Sequence, residues 1–287
     1  MKHSVKSSDV AIDLDELVDD LRRSAKYRWL CEPTLRRIAD WSARRSVSPK
    51  DAGKRAKRKL HQVYAAYLDA WDADAAINQL EALPDRSTPE QIKSAFRSIM
   101  AGHASCRERL GQLDSMYEPI FAVTGLPASV IDLGCGLHPL CLPWMKLPAS
   151  TVYHAWDIDL RMIELVNRAL ALLDRPASAE ARDVLVELPE QHYDVALLLK
   201  TIPCLQQQDR LAPVRLVRRI AARFIVVSFP VRSIGGHDKG MTRQYAQMMQ
   251  ALLDECGHRA HRIETPCELI YVVDKSTAIE AGASNEH

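Results

Sequence analysis

Apolar residues near the start of the chain recur at intervals of three and four, which is the spacing of a helix with one buried face. The first such segment spans residues 13–22, and its first residue, an aspartate, is placed to cap the first turn. A second helix is predicted to begin near Pro33, because proline suits a first helical position, and a third covers about 49–70. After a loop at 84–89, a long helical stretch is predicted for about 90–124. Four or five helices are therefore expected before the first strand.

From residue 129 onward the pattern changes to short β-rich runs that alternate with helical segments. This alternation predicts an α/β fold with a mostly parallel, doubly wound sheet, preceded by an all-helical N-terminal domain. Five strands are predicted, at 130–133, 151–156, 195–199, 224–229 and 269–273. The expected organisation is a helical N-terminal domain, a helical linker, an α/β domain and a flexible tail, at 1–85, 86–127, 128–275 and 276–287 respectively.

Composition excludes several classes of protein. A hydrophobic fraction of 47% and a charged fraction of 26% are those of a globular protein. The chain has no apolar run of membrane-spanning length and its N-terminus lacks the apolar segment of a signal peptide, so a cytoplasmic protein is expected. The seven cysteines are scattered and include no C-x-x-C pair, so neither a disulfide framework nor a metal site is expected.

Positive charge is concentrated at the N-terminal end. Residues 1–60 hold 16 Lys/Arg and 9 Asp/Glu, a net charge of +7, whereas the whole chain has a net charge of +1. On the predicted third helix, basic residues share one side at helical spacing: Lys50, Lys54, Lys57, Arg58 and His61. Such a row suits contact with phosphates and predicts an anionic partner, although a solvated charged face has the same pattern.

The clearest local signal is the segment 130–136, Val-Ile-Asp-Leu-Gly-Cys-Gly, in which a buried strand runs into a glycine-rich turn. In doubly wound sheets, ligands bind outside the carboxyl ends of the strands, so this segment predicts a nucleotide-like cofactor there. A carboxylate is expected after the next strand to hold ribose hydroxyls, and another could face an adenine amino group. The candidate residues of this site are Asp132, Gly134, Gly136, Asp157 and Asp183.

Two cofactor classes share a glycine turn followed by an acidic residue. A dinucleotide fingerprint, G-x-G-x-x-G, would place its last glycine where this chain has Pro139. The pattern D-x-G-x-G with Asp157 downstream favours S-adenosylmethionine over a dinucleotide, and a purely structural tight turn is the third alternative. The favoured prediction is a Rossmann-like, S-adenosylmethionine-dependent methyltransferase domain.

The segment 199–204, at the end of the predicted strand 195–199, bears on the methylated atom. It lacks the Asn/Asp-Pro-Pro-aromatic turn of exocyclic amine methyltransferases, and no cysteine pair suits attack on a pyrimidine ring. A ring nitrogen with a free lone pair, such as guanine N7, needs no proton removed, so positioning would suffice. Lys200 is then a candidate for orienting the substrate or the cofactor, with an ordinary strand-end lysine as the alternative.

The chain resembles the aminoglycoside-resistance 16S ribosomal RNA guanine-1405 N7-methyltransferases. The matching segments follow one another from about residue 20 to 274, so they cover both the helical extension and the α/β domain. They are 54–61 with Tyr64 and Tyr67, 103–110, 132–139 with 143–145, 157–159, 197–201, 203–205, 228–230, 239–241 and 268–272. The resemblance implies S-adenosylmethionine as cofactor and 16S rRNA in the 30S subunit as partner. The protein is expected to act as a monomer.

Site roles follow from the resemblance position by position. It implies that Arg109 pairs with the methionine carboxylate of the cofactor, and that Asp157 holds the ribose. It places further cofactor contacts at Tyr67, His103, Ala104, Ser105, Gly134, Asp183, Val184, Leu199 and Gln208. It places contacts with the target guanine or the ribosomal surface at Lys200, Lys239 and Met241, and RNA docking at Lys54, Arg55, Lys57, Arg58 and Lys59.

Two positions depart from the family pattern. Gly134 stands where some members carry Ala, and His138 stands where related proteins carry Asn. His138 is interpreted as a hydrogen-bonding loop residue rather than a general base. Two other functions remain open: a small-molecule methyltransferase with a helical lid, and a non-catalytic RNA-binding protein that has kept the fold.

Overall fold

The computed structural model describes residues 12–68, 71–231 and 241–276. The chain forms two compact units, Met1–Asp69 and Ala70–His287. The boundary therefore lies before the expected position at residue 85. The reason is packing: Ala76, Ile77 and Leu80 are buried in the hydrophobic core of the second unit.

The first unit contains three helices: α1 (Leu14–Arg23), α2 (Glu32–Ala43) and α3 (Pro49–Leu68). The predicted cap of the first helix is confirmed, because the Asp13 side chain accepts hydrogen bonds from the backbone N–H groups of Asp15 and Glu16. Each helix contributes apolar side chains at three-and-four spacing to a common core, among them Leu17, Leu21, Leu35, Ile38, Ala56 and Leu60.

The second unit opens with four helices: α4 (Ala73–Glu81), α5 (Pro89–Gly102), α6 (Ala104–Arg107) and α7 (Glu118–Thr124). The prediction of one long helix over 90–124 is wrong, and so is the expected number of helices before the first strand. Helix α5 ends where His103 takes an extended backbone conformation. Pro119 lies in the first turn of α7, where its missing N–H costs nothing, whereas in mid-helix it would break the ladder.

A seven-stranded sheet follows. Its strands are β1 (Ser129–Leu133), β2 (Val152–Asp157), β3 (Ala177–Ala181), β4 (Tyr193–Leu199), β5 (Ala222–Pro230), β6 (Arg259–Glu264) and β7 (Glu268–Asp274). The spatial order is β3-β2-β1-β4-β5-β7-β6, with parallel pairing through β5 and antiparallel pairing of β7 with both neighbours. The predicted α/β class and all five predicted strands are confirmed, and β3 and β6 are additional edge strands.

Helices cover both faces of the sheet. They are α8 (Leu160–Leu170), α9 (Ile202–Gln208), α10 (Ala212–Arg219) and α11 (Met241–Cys256), with a 3-10 helix at His138–Trp144. One buried cluster joins α4, α5 and α8 to one face, and a second joins α9, α10 and α11 to the other. Among the residues described, no helix is both long and apolar enough to cross a membrane.

Candidate functional site

The glycine turn after β1 lies at the carboxyl edge of the parallel strands, as the sequence predicts. Gly134 and Gly136 both have positive φ, +69° and +50°, a conformation that side chains disfavour. The backbone N–H groups of Gly134 and Cys135 donate to the carbonyl of Trp156, at 2.8 and 3.0 Å. The turn is thereby tied to the end of β2. Around Gly136 an added β carbon would meet no atom within 4 Å, so the backbone is open to a ligand at this point.

Asp157, the last residue of β2, is bonded to the same turn. One of its carboxylate oxygens accepts from the Gly136 N–H at 2.9 Å, and the other accepts from the Ile158 N–H at 2.7 Å. Burial raises the pKa of Asp157 to about 6, the charge of Asp159 adds to the rise, and the backbone hydrogen bonds oppose it. The carboxylate has further lone pairs with which it can accept hydroxyl donors. The structure thus brings the predicted glycines and the predicted ribose carboxylate together.

Asp183 lies at the same edge, just after β3. It is buried, and its carboxylate accepts from the Leu185 N–H at 2.8 Å. The backbone N–H of Arg182 donates to the carbonyl of Asp157 at 2.8 Å, which fixes this segment beside the end of β2. Val184 is half-buried and packs against the second hydrophobic cluster. The two carboxylates predicted for ribose and adenine therefore belong to neighbouring strand ends.

Asp132 occupies a different place from the one expected. Its side chain is 1% exposed, and its Oδ2 accepts from the Tyr153 hydroxyl and contacts His138 Nδ1, each at 2.7 Å. The other nitrogen of His138 lies 2.9 Å from the Tyr117 hydroxyl. Oδ1 of Asp132 has no hydrogen-bond partner among the described residues. The carboxylate thus anchors the residues after the glycine turn from inside, and His138 is the hydrogen-bonding residue predicted.

Four charged side chains form a cluster at the same edge of the sheet. Arg109 is buried and makes a two-pronged contact with Glu268: Nη2 donates to Oε2 at 2.9 Å, and Nε donates to Oε1. Lys200 Nζ lies 3.4 Å from the same Oε1 and also pairs with the carboxylate of Glu108. Burial alone would raise the pKa of Glu268, but the charges of Arg109 and Lys200 outweigh burial and lower it to about 2.

The backbone at Lys200 is itself unusual. Lys146 and Lys200 are the only non-glycine residues with a positive φ among the described residues; the angles are +53° and +60°. The next residue, Thr201, donates its hydroxyl to the carbonyl of Leu133 at 3.2 Å, so the turn after β4 is held against the end of β1. The backbone of Lys200 is thereby held at the carboxyl edge, and its amine is held by the carboxylates of Glu108 and Glu268.

His103 lies next to the charged cluster. It is buried, and its ring contacts Trp71 edge to face with 5.6 Å between centroids. Burial and the charge of Lys200 both lower the pKa of His103, so the ring is neutral at pH 7. The histidine therefore adds no positive charge to this part of the site.

The remaining predicted contacts are only partly described. Leu199 is buried at the end of β4, Gln208 donates to the carbonyl of Cys204 at 3.4 Å, and Met241 begins α11 half-buried. The side chains of Tyr67, Ala104 and Ser105, and the whole of Lys239, lie outside the described residues. In the described ranges no cluster of His, Cys, Asp and Glu side chains could hold a metal ion.

Some cations on the basic side of α3 are exposed without an ion-pair partner among the described residues, and others contact a carboxylate or an aromatic ring. Lys54 and Arg58 are exposed and form no ion pair with another described residue. Arg55 pairs with Asp51 at 2.9 Å and Lys57 with Asp20 at 2.8 Å. Lys59 lies over the Trp41 ring, 5.3 Å from its centroid, and burial lowers its pKa.

Several residues of the site were not predicted as such. Glu108, Thr201 and Glu268 lie in segments that match the family, but the sequence assigns no role to them or to Tyr153. Each of the four acts through a partner at least 21 residues away along the chain. Glu268 lies at the start of a strand, whereas the carboxylates of a nucleotide site are expected after strand ends. Because β7 is antiparallel, its start meets the carboxyl ends of the others.

Comparison with known proteins places the chain in a family. The family described as ribosomal RNA methyltransferase (FmrO) matches residues 23–272. A 16S rRNA (guanine(1405)-N(7))-methyltransferase of Micromonospora echinospora is 38% identical over 266 residues, which are 91% of this chain and 97% of that protein. A protein of the same name from Proteus mirabilis is 30% identical, with 81% of this chain and 86% of that protein covered.

Two solved structures agree with these relatives. The 16S rRNA methylase RmtB superposes with a TM-score of 0.76 at 27% identity, covering 92% of this chain and 99% of that one. The 16S rRNA methyltransferase RmtF, solved in complex with S-adenosyl-L-homocysteine, gives 0.75 at 31% identity, covering 91% and 97%. The resemblance found in the sequence is confirmed, and the chain belongs to the ribosomal RNA methyltransferase (FmrO) family.

Proposed function

We propose that this protein transfers a methyl group from S-adenosylmethionine to N7 of guanine 1405 in the 16S rRNA of the 30S subunit, and that it thereby confers resistance to aminoglycosides. The observation that carries the proposal is the bonded pair formed by the glycine turn and Asp157. It lies at the carboxyl edge of the parallel strands, in a fold that superposes on the 16S rRNA methylase RmtB with a TM-score of 0.76. A relative named 16S rRNA (guanine(1405)-N(7))-methyltransferase aligns with this chain over 97% of its own length.

The residues of the site fit S-adenosylmethionine. The open backbone at Gly136 leaves room for a ligand beside Asp157, whose carboxylate would hold the ribose hydroxyls. Asp183 and Val184 would hold the adenine, with Leu199 and Gln208 completing the wall. Arg109 would bind the methionine carboxylate, beside His103. Bound there, the cofactor supplies a methyl group on a positively charged sulfur.

The chemistry asks little acid-base work of the protein. Guanine N7 attacks through a lone pair and carries no proton, so the site has to align the ring nitrogen and exclude water. Lys200, fixed by its backbone and by two carboxylates, would orient the target base. His103, held neutral, would add no charge that opposes the positive sulfur.

Docking on the ribosome would use the basic side of α3. Lys54 and Arg58 are exposed there, together with Lys50, Lys57 and His61. Cations in a row on one helix contact phosphates of folded RNA and recognise its shape more than its sequence. Arg55, Lys59, Lys239 and Met241 complete the proposed RNA contacts. The proposed partner is thus the assembled 30S subunit, with the protein acting as a monomer.

Methyl transfer from labelled S-adenosylmethionine to purified 30S subunits tests the proposal. Primer extension after borohydride and aniline treatment locates any N7-methylguanine. A single stop at guanine 1405, absent with the Asp157→Ala variant, is the expected result. Binding of the cofactor without incorporation into 30S subunits would overturn the rRNA assignment and favour a small-molecule substrate. Absence of cofactor binding would favour a non-catalytic RNA-binding protein.

A further inference from the structure

Glu268 is the most deeply buried charge of the site and is shared by two cations. Its side chain is 0% exposed, and its Oε1 contacts both Arg109 Nε and Lys200 Nζ. The residue is also rigidly placed in the backbone: its N–H donates to the Thr265 hydroxyl at 2.9 Å, and it is paired with Pro230 across β5 and β7. A carboxylate fixed in this way can determine where both cations lie.

The contact with Arg109 leaves part of the guanidinium available. Arginine has five N–H donors in a planar fork, and Glu268 accepts from one edge of it, through Nε and Nη2. A second carboxylate can then be bound by the remaining donors while Glu268 stays in place. Held on one edge, the guanidinium cannot swing away from its binding direction, so less rotational freedom is lost when a ligand arrives.

The shared oxygen also connects two ends of the site. Arg109 belongs to the segment after α6, and Lys200 follows β4. Glu108 pairs with Lys200 alone, whereas Glu268 on β7 contacts both cations through one oxygen. A ligand carboxylate at Arg109 shares the guanidinium charge with Glu268. Glu268 keeps its contacts with both cations through Oε1 when the ligand is bound, so it still determines the distance between Arg109 and Lys200.

We propose that Glu268 is a positioning residue that orients Arg109 toward the methionine carboxylate of the cofactor and sets the place of Lys200 at the target end of the site. This inference rests on the proposed function for the roles of Arg109 and Lys200. It assigns to Glu268 no contact with the cofactor or with the target base.

Calorimetry with two ligands tests the first half of the inference. S-adenosylhomocysteine carries a homocysteine carboxylate, the equivalent of the methionine carboxylate of S-adenosylmethionine, whereas adenosine lacks it. Glu268→Gln keeps the size of the side chain but turns an amide N–H₂ toward the guanidinium, so it should weaken S-adenosylhomocysteine binding at least tenfold and adenosine binding less than twofold. An equal loss for both ligands would mean a merely structural role. No loss, or tighter binding of S-adenosylhomocysteine, would overturn the proposal.

Two further variants keep the test decisive. Glu264→Gln is the matched control, because Glu264 also pairs with an arginine, Arg262, but on an exposed strand, and both affinities should remain unchanged. If Glu268→Gln does not fold, Glu268→Asp keeps the charge one methylene shorter. It should lower S-adenosylhomocysteine affinity several-fold and again spare adenosine; equal effects on both ligands would refute the positioning role.

The link to Lys200 is tested by single-turnover methylation at saturating S-adenosylmethionine. Glu268→Gln should slow transfer to 30S subunits even when its weaker binding is overcome by concentration. In a Lys200→Met background the same change should have no further effect on this rate, because Glu268 acts there through the lysine. Additive losses would refute the link. If the wild type binds S-adenosylhomocysteine but modifies no 30S subunits, the proposed function fails, while the binding test of Glu268 still stands.

Discussion

Gly134 lies so close to Thr201 that a β carbon added to the glycine would stand 2.8 Å from Cγ2 of the threonine. The contact joins the turn after β1 to the turn after β4, the two strands at the centre of the site. Since φ of Gly134 is also positive, both the backbone conformation and the neighbouring side chain require glycine in this chain, although some family members carry alanine here.

The contact predicts that Gly134→Ala destabilises the protein more than Gly136→Ala does. Both variants place alanine at positive φ, which costs about 1–2 kcal/mol, but only Gly134→Ala meets Thr201. The added overlap should cost about 1–3 kcal/mol more. Urea unfolding of the two variants measures the difference. Adding Thr201→Ser to Gly134→Ala removes Cγ2 and should recover part of the loss; equal stability of the two alanine variants would contradict the prediction.

Cofactor binding should depend on pH through Asp157. Because burial raises its pKa to about 6, the carboxyl becomes neutral as the pH falls through 6, and a neutral carboxyl accepts hydrogen bonds poorly. S-adenosylhomocysteine affinity is expected to be constant above about pH 7 and to fall by up to about tenfold per pH unit below pH 6. Calorimetry between pH 5 and 8 checks this. Asp157→Asn should bind weakly with no such dependence; the same dependence in the variant would assign the titration to another group.

The buried contacts of Asp132 predict a large effect of Tyr153→Phe. The change removes one of the two donors to Oδ2 of a carboxylate that water does not reach, and should cost about 1–3 kcal/mol of unfolding free energy. Tyr193→Phe is the control: its hydroxyl contacts His154 Nδ1 at the same distance, 2.7 Å, but in a partly exposed place where water can substitute. Denaturant unfolding of both variants should rank Tyr153→Phe as clearly the more damaging.

Docking on the 30S subunit should depend on the basic side of α3. Replacing Lys54, Lys57 and Arg58 together by alanine should weaken 30S binding and give a shallower dependence on salt concentration, because fewer counterions are released. S-adenosylhomocysteine affinity should stay the same. Among single variants, Lys54→Ala should lose more affinity than Lys57→Ala, whose charge is already paired with Asp20. A parallel loss of cofactor affinity would show that the helix has only a structural role.

Lys146→Gly should stabilise the protein. Lys146 is exposed and has a positive φ of +53°, so glycine relieves about 1–2 kcal/mol of backbone strain, against a loss of up to about 1 kcal/mol from the freer unfolded chain. Chemical unfolding should show a net gain of up to about 1 kcal/mol. At Lys200, with nearly the same φ, glycine should fail to stabilise because two carboxylates lose a cation. A loss of stability in Lys146→Gly would contradict the strain argument.

Local patterns predicted those parts of the fold that local forces determine. The five central strands are apolar runs, and the glycine turn with Asp157 has a characteristic spacing, so both were visible in the sequence. The edge strands β3 and β6 were not visible in the sequence. A strand with one unpaired edge needs fewer apolar residues, and β6 contains three charged ones, Arg259, Arg262 and Glu264. The break in the predicted helix over 90–124 did have a signal in Pro119.

The candidate site divides in the same way. Residues that act from strand ends, such as Asp157, Asp183 and Lys200, were predicted by position. The resemblance to a family predicted that Arg109 binds the cofactor carboxylate, but it did not predict that Arg109 pairs with the buried Glu268. Glu268 and Tyr153 became visible only with three-dimensional contacts, since their partners lie 159 and 21 residues away in sequence. The same is true of the inward orientation of Asp132.

The pair formed by Arg109 and Glu268 also determines when this part of the protein can fold during synthesis. The two residues are 159 positions apart, so a nascent chain carries the guanidinium long before its carboxylate exists. A buried cation without its partner is strongly destabilising, and the segment around Arg109 therefore cannot reach its final packing until β7 has been made and inserted between β5 and β6. Chains that stop short of residue 268 should remain open at this point and be exposed to proteases, so that only nearly complete molecules acquire a finished site.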